Sequence, residues 1–336
     1  MKKIIPLLMI AAFLLTACAQ PTPIPIPTRQ PPTLTPTAAF TATPTLPPTF
    51  TPTATQNSDP STWTKEEALA NHEKERLIYL EEQGPAQSIP ALEYHSDLYW
   101  MYGGALEMSP KAFESQMAWF HENHVHSVTG DELRDWLNGT LDLPARSVIL
   151  TFDMGAHSSQ YVPRMLDVFR KYQMFGLITI YHPSNHSESM DAGSTNCPDD
   201  RCWEAYRAAY ESGYATIGTH TITHSKFSDM NEKDGLEEIQ KSKQIIEEKI
   251  GNGCQVFILI WPLEDIPSWA VNLKSIGIDL AFGGGTYPIL ENTVWKNKPD
   301  DWFRLPRIWP PNSNGINGRG GKTLEEIMKM YTTSWE

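Results

Sequence analysis

The sequence predicts an α/β protein built around a distorted (β/α) barrel with seven or eight parallel strands. Short runs of apolar residues recur through the chain after residue 60, and helical patterns separate them. Strands that are apolar at nearly every position are typical of a parallel sheet that helices cover on both faces. Seven or eight such units are enough to close the sheet into a barrel.

The individual elements follow from local signals. Thr64 and Glu67 form a capping-box pattern at one helix start, and Ser109 precedes a proline at the first position of another. Helices are predicted at residues 64–83, 109–123, 130–139, 161–172, 200–212, 231–250, 267–275 and 323–332. Strands are predicted at residues 89–95, 127–128, 147–153, 176–181, 214–220, 255–260, 278–282 and 302–308.

Composition narrows the class of protein. The 336 residues are 40% hydrophobic and 20% charged, which is typical of a globular domain. The formal net charge is −13 and no long Lys/Arg run occurs. Because binding to phosphate backbones needs basic patches, we expect no nucleic-acid partner.

The N-terminus has the pattern of a secreted lipoprotein. Lys2 and Lys3 precede an apolar run over residues 4–15, which is shorter than a membrane-spanning helix. The following residues, Leu-Thr-Ala-Cys, resemble a bacterial lipobox that ends at Cys18. We therefore expect residues 1–17 to be a signal peptide and Cys18 to carry lipid. The alternative is an ordinary secretory signal followed by a chance cysteine.

A tether is expected to separate this anchor from the folded part. Between residues 21 and 60 the chain contains twelve prolines and twelve threonines. Such a segment cannot bury enough apolar surface to fold. The expected organisation is a disordered tether at 18–60, an N-terminal helix at 61–88 and the barrel at 89–336. This arrangement predicts an extracytoplasmic protein held at a membrane.

Three cysteines remain after Cys18. Cys197 and Cys202 are close in sequence, and outside the cytoplasm a disulfide between them is plausible. The alternative is two free thiols. Cys254 has the surroundings of a small buried residue.

Polar residues end several predicted strands. Asp153 ends the most apolar run, His220 ends another with His224 four residues later, and His95 ends a third. Active sites of β/α barrels lie at the carboxyl ends of the strands. A carboxylate and three histidines at that face predict a hydrolytic metal site. Their alternative role is that of surface or capping residues.

Three motifs then occur in a specific order. Residues 147–155 (SVILTFDMG) resemble the first motif of the NodB-homology polysaccharide deacetylases, carbohydrate esterase family 4, and residues 217–225 (IGTHTITHS) resemble the second. Residues 257–263, with Trp261 followed by proline, lie where the third is expected. The resemblance covers about residues 89–308. Its flanks and Tyr94-His95 resemble the biofilm poly-N-acetylglucosamine deacetylases most.

The resemblance implies a role for each strand-end residue. Asp153 matches the base that takes a proton from water, and His95 matches the acid that protonates the leaving amine. His220 and His224 match two ligands of a divalent metal, with zinc as the first candidate. The implied substrate is an N-acetylated polysaccharide of a cell wall or exopolysaccharide.

Two motifs depart from the family. The second aspartate of the first motif, the third metal ligand, is Met154 here, and a thioether binds zinc weakly. His157 is a candidate to replace this missing ligand. The alternative is that His157 is an exposed loop residue with no such role. The third motif has Leu263-Glu264 where the family has Tyr-Gly and lacks its basic residue. Arg307 is a candidate for that cation, or else a surface arginine.

Aromatic side chains near these motifs suggest a groove for sugar. We assign Trp261, Tyr99 and Trp100 to it, together with Arg307. The sequence thus predicts a lipid-anchored polysaccharide N-deacetylase. The main alternative is a catalytically silent carbohydrate-binding domain that lost its metal ligand at Met154. A spacer or scaffold protein would explain the tether but not the strand-end residues.

Overall fold

The computed structural model describes residues 59–95, 108–181, 201–283, 290–312, 315 and 321–335. Its main sheet contains seven parallel strands in the order β2-β4-β5-β6-β7-β8, with β3 beside the start of β4. A separate antiparallel pair joins β1 and β9. The strands are β1 (Ser88–Ile89), β2 (Ala91–His95), β3 (His126–Ser127), β4 (Ser147–Met154), β5 (Gly176–Ile180), β6 (Ala215–Thr219), β7 (Ile258–Ile260), β8 (Leu280–Phe282) and β9 (Leu290–Glu291).

Helices connect most of the parallel strands, as expected for β/α units. They are α1 (Lys65–Gln83), α2 (Pro110–Glu122), α3 (Gly130–Asn138), α4 (Val162–Tyr172), α5 (Arg201–Glu211), α6 (Glu232–Ile250), α7 (Asn292–Trp295) and α8 (Leu324–Tyr331). The predicted capping box of Thr64 is formed, and Ser109 caps α2 with proline at its first position. The predicted α/β architecture of parallel strands and covering helices is therefore confirmed.

The segment after residue 304 joins the two edges of the main sheet. Leu305 forms a parallel bridge with Phe282 of β8, and Ile308 forms one with Leu92 of β2. The Ile308 amide donates to the Ala91 carbonyl at 2.7 Å, and the Glu93 amide donates to the Ile308 carbonyl at 2.7 Å. Because these bonds link the first and last strands, the sheet curls into a barrel and Arg307 lies on its closing segment.

Alternation along β4 assigns its residues to two sides of the sheet. Every residue of the strand is buried. Phe152 and Met154 belong to an apolar cluster that includes residues of α2 and α4, whereas Ile149 belongs to a second cluster with Leu177 of β5. Since side chains alternate along a strand, Asp153 shares the Ile149 side, and Met154 lies on the opposite, helix-covered side.

Two predicted elements differ from the structure. The helix predicted at 267–275 is a 3-10 helix at Ala270–Ile276. The strand predicted at 302–308 begins as a 3-10 turn at Trp302–Arg304, and only Leu305 and Ile308 form bridges. A run of apolar and aromatic residues is compatible with a helix, a strand or a 3-10 turn, and tertiary contacts decide which of them forms.

Some predictions fall outside the described residues. These are the signal peptide, Cys18, nearly all of the tether, Tyr99, Trp100 and Cys197, and the side chain of His157 is also not described. Cys202 is disulfide-bonded, and Cys254 is a buried free cysteine. Within the described ranges, no helix is both long enough and apolar enough to span a bilayer.

Candidate active site

Asp153 occupies the carboxyl end of β4, beside His95 at the end of β2. The two residues are register partners in the parallel pair of strands. Arg307 reaches them from the closing segment and binds Asp153 through two hydrogen bonds, Nη1 to Oδ1 at 2.8 Å and Nη2 to Oδ2 at 3.1 Å. The pair is buried: Asp153 is 5% exposed and Arg307 is 3% exposed. The structure thus places Arg307 as a cation against Asp153.

This environment keeps Asp153 ionised. Burial by itself favours the neutral acid, but the charge of Arg307 and the nearby histidines outweigh it and hold the pKa of Asp153 below its ordinary value. His95 Nε2 lies 3.9 Å from Asp153 Oδ2, and the His95 side chain is 28% exposed. A buried carboxylate therefore faces an imidazole that solvent can still reach.

His220 and His224 lie on the other side of Asp153. His220 Nδ1 donates to the Ile260 carbonyl at 2.8 Å, because a carbonyl can only accept. Burial lowers the pKa of His220 to about 4, against the opposing charge of Asp153. The ring is therefore neutral near pH 7, and its Nε2 lone pair lies 3.8 Å from Asp153 Oδ2. The rings of His220 and His224 are 4.8 Å apart, and Tyr181 packs against both.

Glu93 is a site residue that the sequence reasoning missed. It lies two residues before His95 on the same side of β2 and is 4% exposed. Its Oε1 is 3.3 Å from His95 Nε2 and 3.3 Å from Arg307 Nη2. Burial raises its pKa, although Arg307 opposes the effect. The signal in the sequence that could have identified Glu93 was an acidic residue at an inward position of an otherwise apolar strand.

The described donors do not complete the metal site that the resemblance implies. Met154 is fully buried among apolar side chains on the far side of β4. Within the described ranges, no third His, Cys, Asp or Glu completes a group with His220 and His224 in which all ligand atoms lie within 4.8 Å of one another. Catalytic zinc sites generally use three protein ligands. The described residues around His220 and His224 therefore do not fit a catalytic zinc ion.

A second group, Glu93, His95 and Asp153, has ligand atoms within 4.8 Å of one another. Arg307 bonds to Asp153 and lies 3.3 Å from Glu93, so a cation already neutralises these carboxylates. A metal ion would have to displace the guanidinium to bind there.

The assignment of Trp261 to a sugar-binding groove is wrong. Trp261 is fully buried, and its indole N–H donates to the Phe303 carbonyl at 2.8 Å. Its ring packs edge-on against Phe227 and Trp269. An indole enclosed in this way cannot stack on a sugar. Arg307, also assigned to the groove, is buried and bonds to Asp153.

Comparison with known proteins agrees with this arrangement. Residues 140–271, which include Asp153, His220 and His224, match the family profile described as polysaccharide deacetylase. The Bacillus subtilis (strain 168) protein YxkH, whose name assigns it provisionally to the polysaccharide deacetylases, is 24% identical over 176 residues. That alignment covers 52% of this chain and 57% of YxkH, so the chain spans just over half the length of this curated relative.

Solved structures share the fold. The Streptococcus pyogenes deacetylase PplD in complex with acetate has a TM-score of 0.56 at 16% identity, covering 74% of this chain and 100% of that one. IcaB from Ammonifex degensii has a TM-score of 0.53 at 21% identity, covering 68% and 92%. BC0361, a polysaccharide deacetylase from Bacillus cereus, has a TM-score of 0.52 at 19% identity, covering 72% and 68%. Residues 140–271 are therefore similar to the polysaccharide deacetylase family, and the chain shares the fold of these solved structures.

Proposed function

We propose that the protein is an N-deacetylase that hydrolyses the acetamide groups of an N-acetylated polysaccharide. The observation that carries the proposal is the placement of Asp153 between Arg307 and two imidazoles at the carboxyl ends of β2, β4 and β6. Amide hydrolysis needs a base for the attacking water and an acid for the leaving amine. Asp153 and His95 lie close enough together to serve one reacting group in these two roles.

Arg307, Asp153 and His95 have different roles in this reaction. Arg307 keeps Asp153 in its carboxylate form, so Asp153 can accept a proton from the water that attacks the acetamide carbon. His95, which is partly exposed, donates a proton to the amine nitrogen as the carbon–nitrogen bond breaks. The products are acetate and a free amino sugar. Glu93 Oε1 lies 3.3 Å from His95 Nε2 and positions the imidazole beside Asp153.

The metal assistance that the resemblance implies needs another ligand. His220 and His224 supply two imidazoles, and His157 is our candidate for the third position. A bound divalent ion would polarise the acetamide carbonyl.

A second function is favoured by one observation. Met154 is fully buried and apolar where the family pattern has a metal-binding aspartate. A catalytically silent carbohydrate-binding domain would keep the barrel and need no metal. Under this alternative the protein binds N-acetylated glycan and releases no amine.

Amine release from an N-acetylglucosamine oligomer tests the proposal. The wild type, with divalent metal supplied, is expected to release amine, and Asp153→Asn should lower the rate at least about 100-fold, because the base is lost. His95→Gln should lower it similarly. Asp167→Asn is a matched control, since that side chain is exposed on α4, and its rate should be unchanged. Oligomer binding without amine release by the wild type would favour the silent alternative.

We also propose that Cys18 carries lipid and holds the protein outside the cytoplasm at a membrane. Small residues and an apolar run precede Cys18, as processing before a lipidated cysteine requires. The Cys18→Ser variant is expected to move from the membrane fraction to the soluble fraction after cell fractionation. Retention of this variant in the membrane fraction would contradict the anchor.

A further inference from the structure

We infer that His72, His126 and Glu132 form a divalent-metal site, of the kind that binds zinc, at the end of the barrel opposite Asp153. His72 lies on α1, His126 begins β3, and Glu132 lies in the first turn of α3. His126 pairs with Ser147 at the start of β4, whereas Asp153 lies at its other end. At about 3.3 Å per residue, the two places are roughly 20 Å apart along the strand.

The three side chains converge through their ligand atoms. His72 Nε2 lies 2.9 Å from Glu132 Oε2, and His126 Nε2 lies 3.1 Å from Glu132 Oε1. The two imidazole rings are stacked with centroids 4.3 Å apart. All three ligand atoms lie within 4.8 Å of one another. Two imidazoles and one carboxylate are a known zinc ligand set, and small shifts of these atoms would bring them around one ion.

The atoms that the two rings present also suit a cation. Each imidazole faces Glu132 through its Nε2, and an ionised carboxylate can only accept, so both rings donate to Glu132. A metal ion bound there would displace these two protons and would be coordinated by the same Nε2 atoms and the carboxylate.

A nearby arginine does not block the site. Arg76 Nε is 3.9 Å from Glu132 Oε1. Its guanidinium is already neutralised by Glu73, through bonds of 2.8 and 2.7 Å, and a further bond reaches the Asp142 carbonyl. The Thr129 amide donates to Glu132 Oε2 at 2.9 Å and fixes the carboxylate, as supporting groups do around metal ligands.

A small cleft gives access to the two histidines. Its lining includes His72 and His126 together with Glu75 and His121. The cleft has room for about one water molecule, which could serve as the fourth ligand. Glu75 adds an acidic side chain to this lining.

The packing of α1 indicates which part of the structure a metal ion at this site would stabilise. The buried residues of this 19-residue helix are Ala68, His72 and Arg76. Two of the three are polar and both lie near Glu132, so α1 is attached in part through these polar contacts. A metal ion shared by His72, His126 and Glu132 would fasten α1 to β3 and α3.

Zinc content and thermal stability test this inference. We would use the full chain with His220→Ala and His224→Ala, which removes the other pair of candidate ligands and keeps the outcome separate from that of the proposed function. After chelation and reloading with zinc, this variant is expected to retain one zinc per chain and to melt at a higher temperature than its metal-free form. Adding His126→Gln should remove both effects. Adding His124→Gln instead should remove neither, because that side chain is exposed nearby.

Cobalt supplies a second readout, and circular dichroism of each variant shows whether it is folded. Co²⁺ added to the His220→Ala/His224→Ala protein should give the visible absorption of a four-coordinate site, and His72→Gln should abolish that absorption. The inference is wrong if the His220→Ala/His224→Ala protein binds neither ion, or if His126→Gln and His72→Gln bind both unchanged. In either case the cluster serves only as a hydrogen-bonded attachment of α1.

Discussion

Replacing Arg307 with alanine is expected to lower the free energy of unfolding by about 3–5 kcal/mol, because removing one partner leaves buried charges uncompensated. The arginine contacts both Asp153 and Glu93, and all three side chains are buried. Chemical denaturation at pH 7 measures the loss. Arg307→Lys should retain part of the stability, since a lysine keeps the charge but cannot form the two-bond contact.

The effect should depend on pH in a defined direction. The pKa of Asp153 is depressed in the folded protein, so the stability that the ion pair contributes is present above the ordinary value of 3.8 and is lost as the pH falls through the lower folded value. The difference between wild type and Arg307→Ala should therefore be full at pH 7 and shrink in strong acid. Arg304→Ala is the control, because that side chain is exposed on the preceding turn. Equal stability of Arg307→Ala and Arg304→Ala would contradict the pairing.

Replacing Met154 with aspartate is expected to lower the free energy of unfolding by about 3 kcal/mol, because the new carboxylate lies among the apolar side chains around residue 154. Residue 154 lies on the helix-covered side of β4, whereas His220 lies beside Asp153 on the other side, so zinc should restore none of the lost stability. Thermal melts of the wild type and the variant, with and without zinc, measure the loss and its response to metal.

Two further variants serve as controls. Met154→Leu conserves volume and should cost less than about 1.5 kcal/mol. Met154→Asp combined with His220→Ala should respond to zinc no differently from Met154→Asp alone. If zinc stabilises Met154→Asp and His220→Ala removes this effect, the end of β4 turns residue 154 towards His220 and His224, and the placement on the helix-covered side is wrong.

Sequence patterns could predict the parts of this fold that local forces decide. The capping residues Thr64 and Ser109 satisfy free helix amides whatever the tertiary fold, and they begin helices as predicted. The run that ends at Asp153 is apolar at the positions that pack on both sides of the sheet, so its burial followed from composition alone. The shared edge of parallel strands then brought His95 and His220 to Asp153.

The remaining features depend on contacts distant in sequence. Trp261 precedes a proline at a strand end, as an exposed aromatic could, but Phe227, Trp269 and the Phe303 carbonyl enclose it. Glu93 looks unfavourable inside a strand until Arg307 supplies its counter-charge.

The closing segment also fixes the order in which this site can be completed during folding. Asp153 and Arg307 are 154 residues apart in sequence. During synthesis from the N-terminus, the strand bearing Asp153 emerges long before its arginine does. Contacts of such separation form late and slow the folding of a domain. Asp153 and Glu93 therefore gain their buried counter-ion only when residues 305–308 join the first strand to the last. A chain that ended before that segment would lack both the barrel seam and the charge that keeps Asp153 ionised.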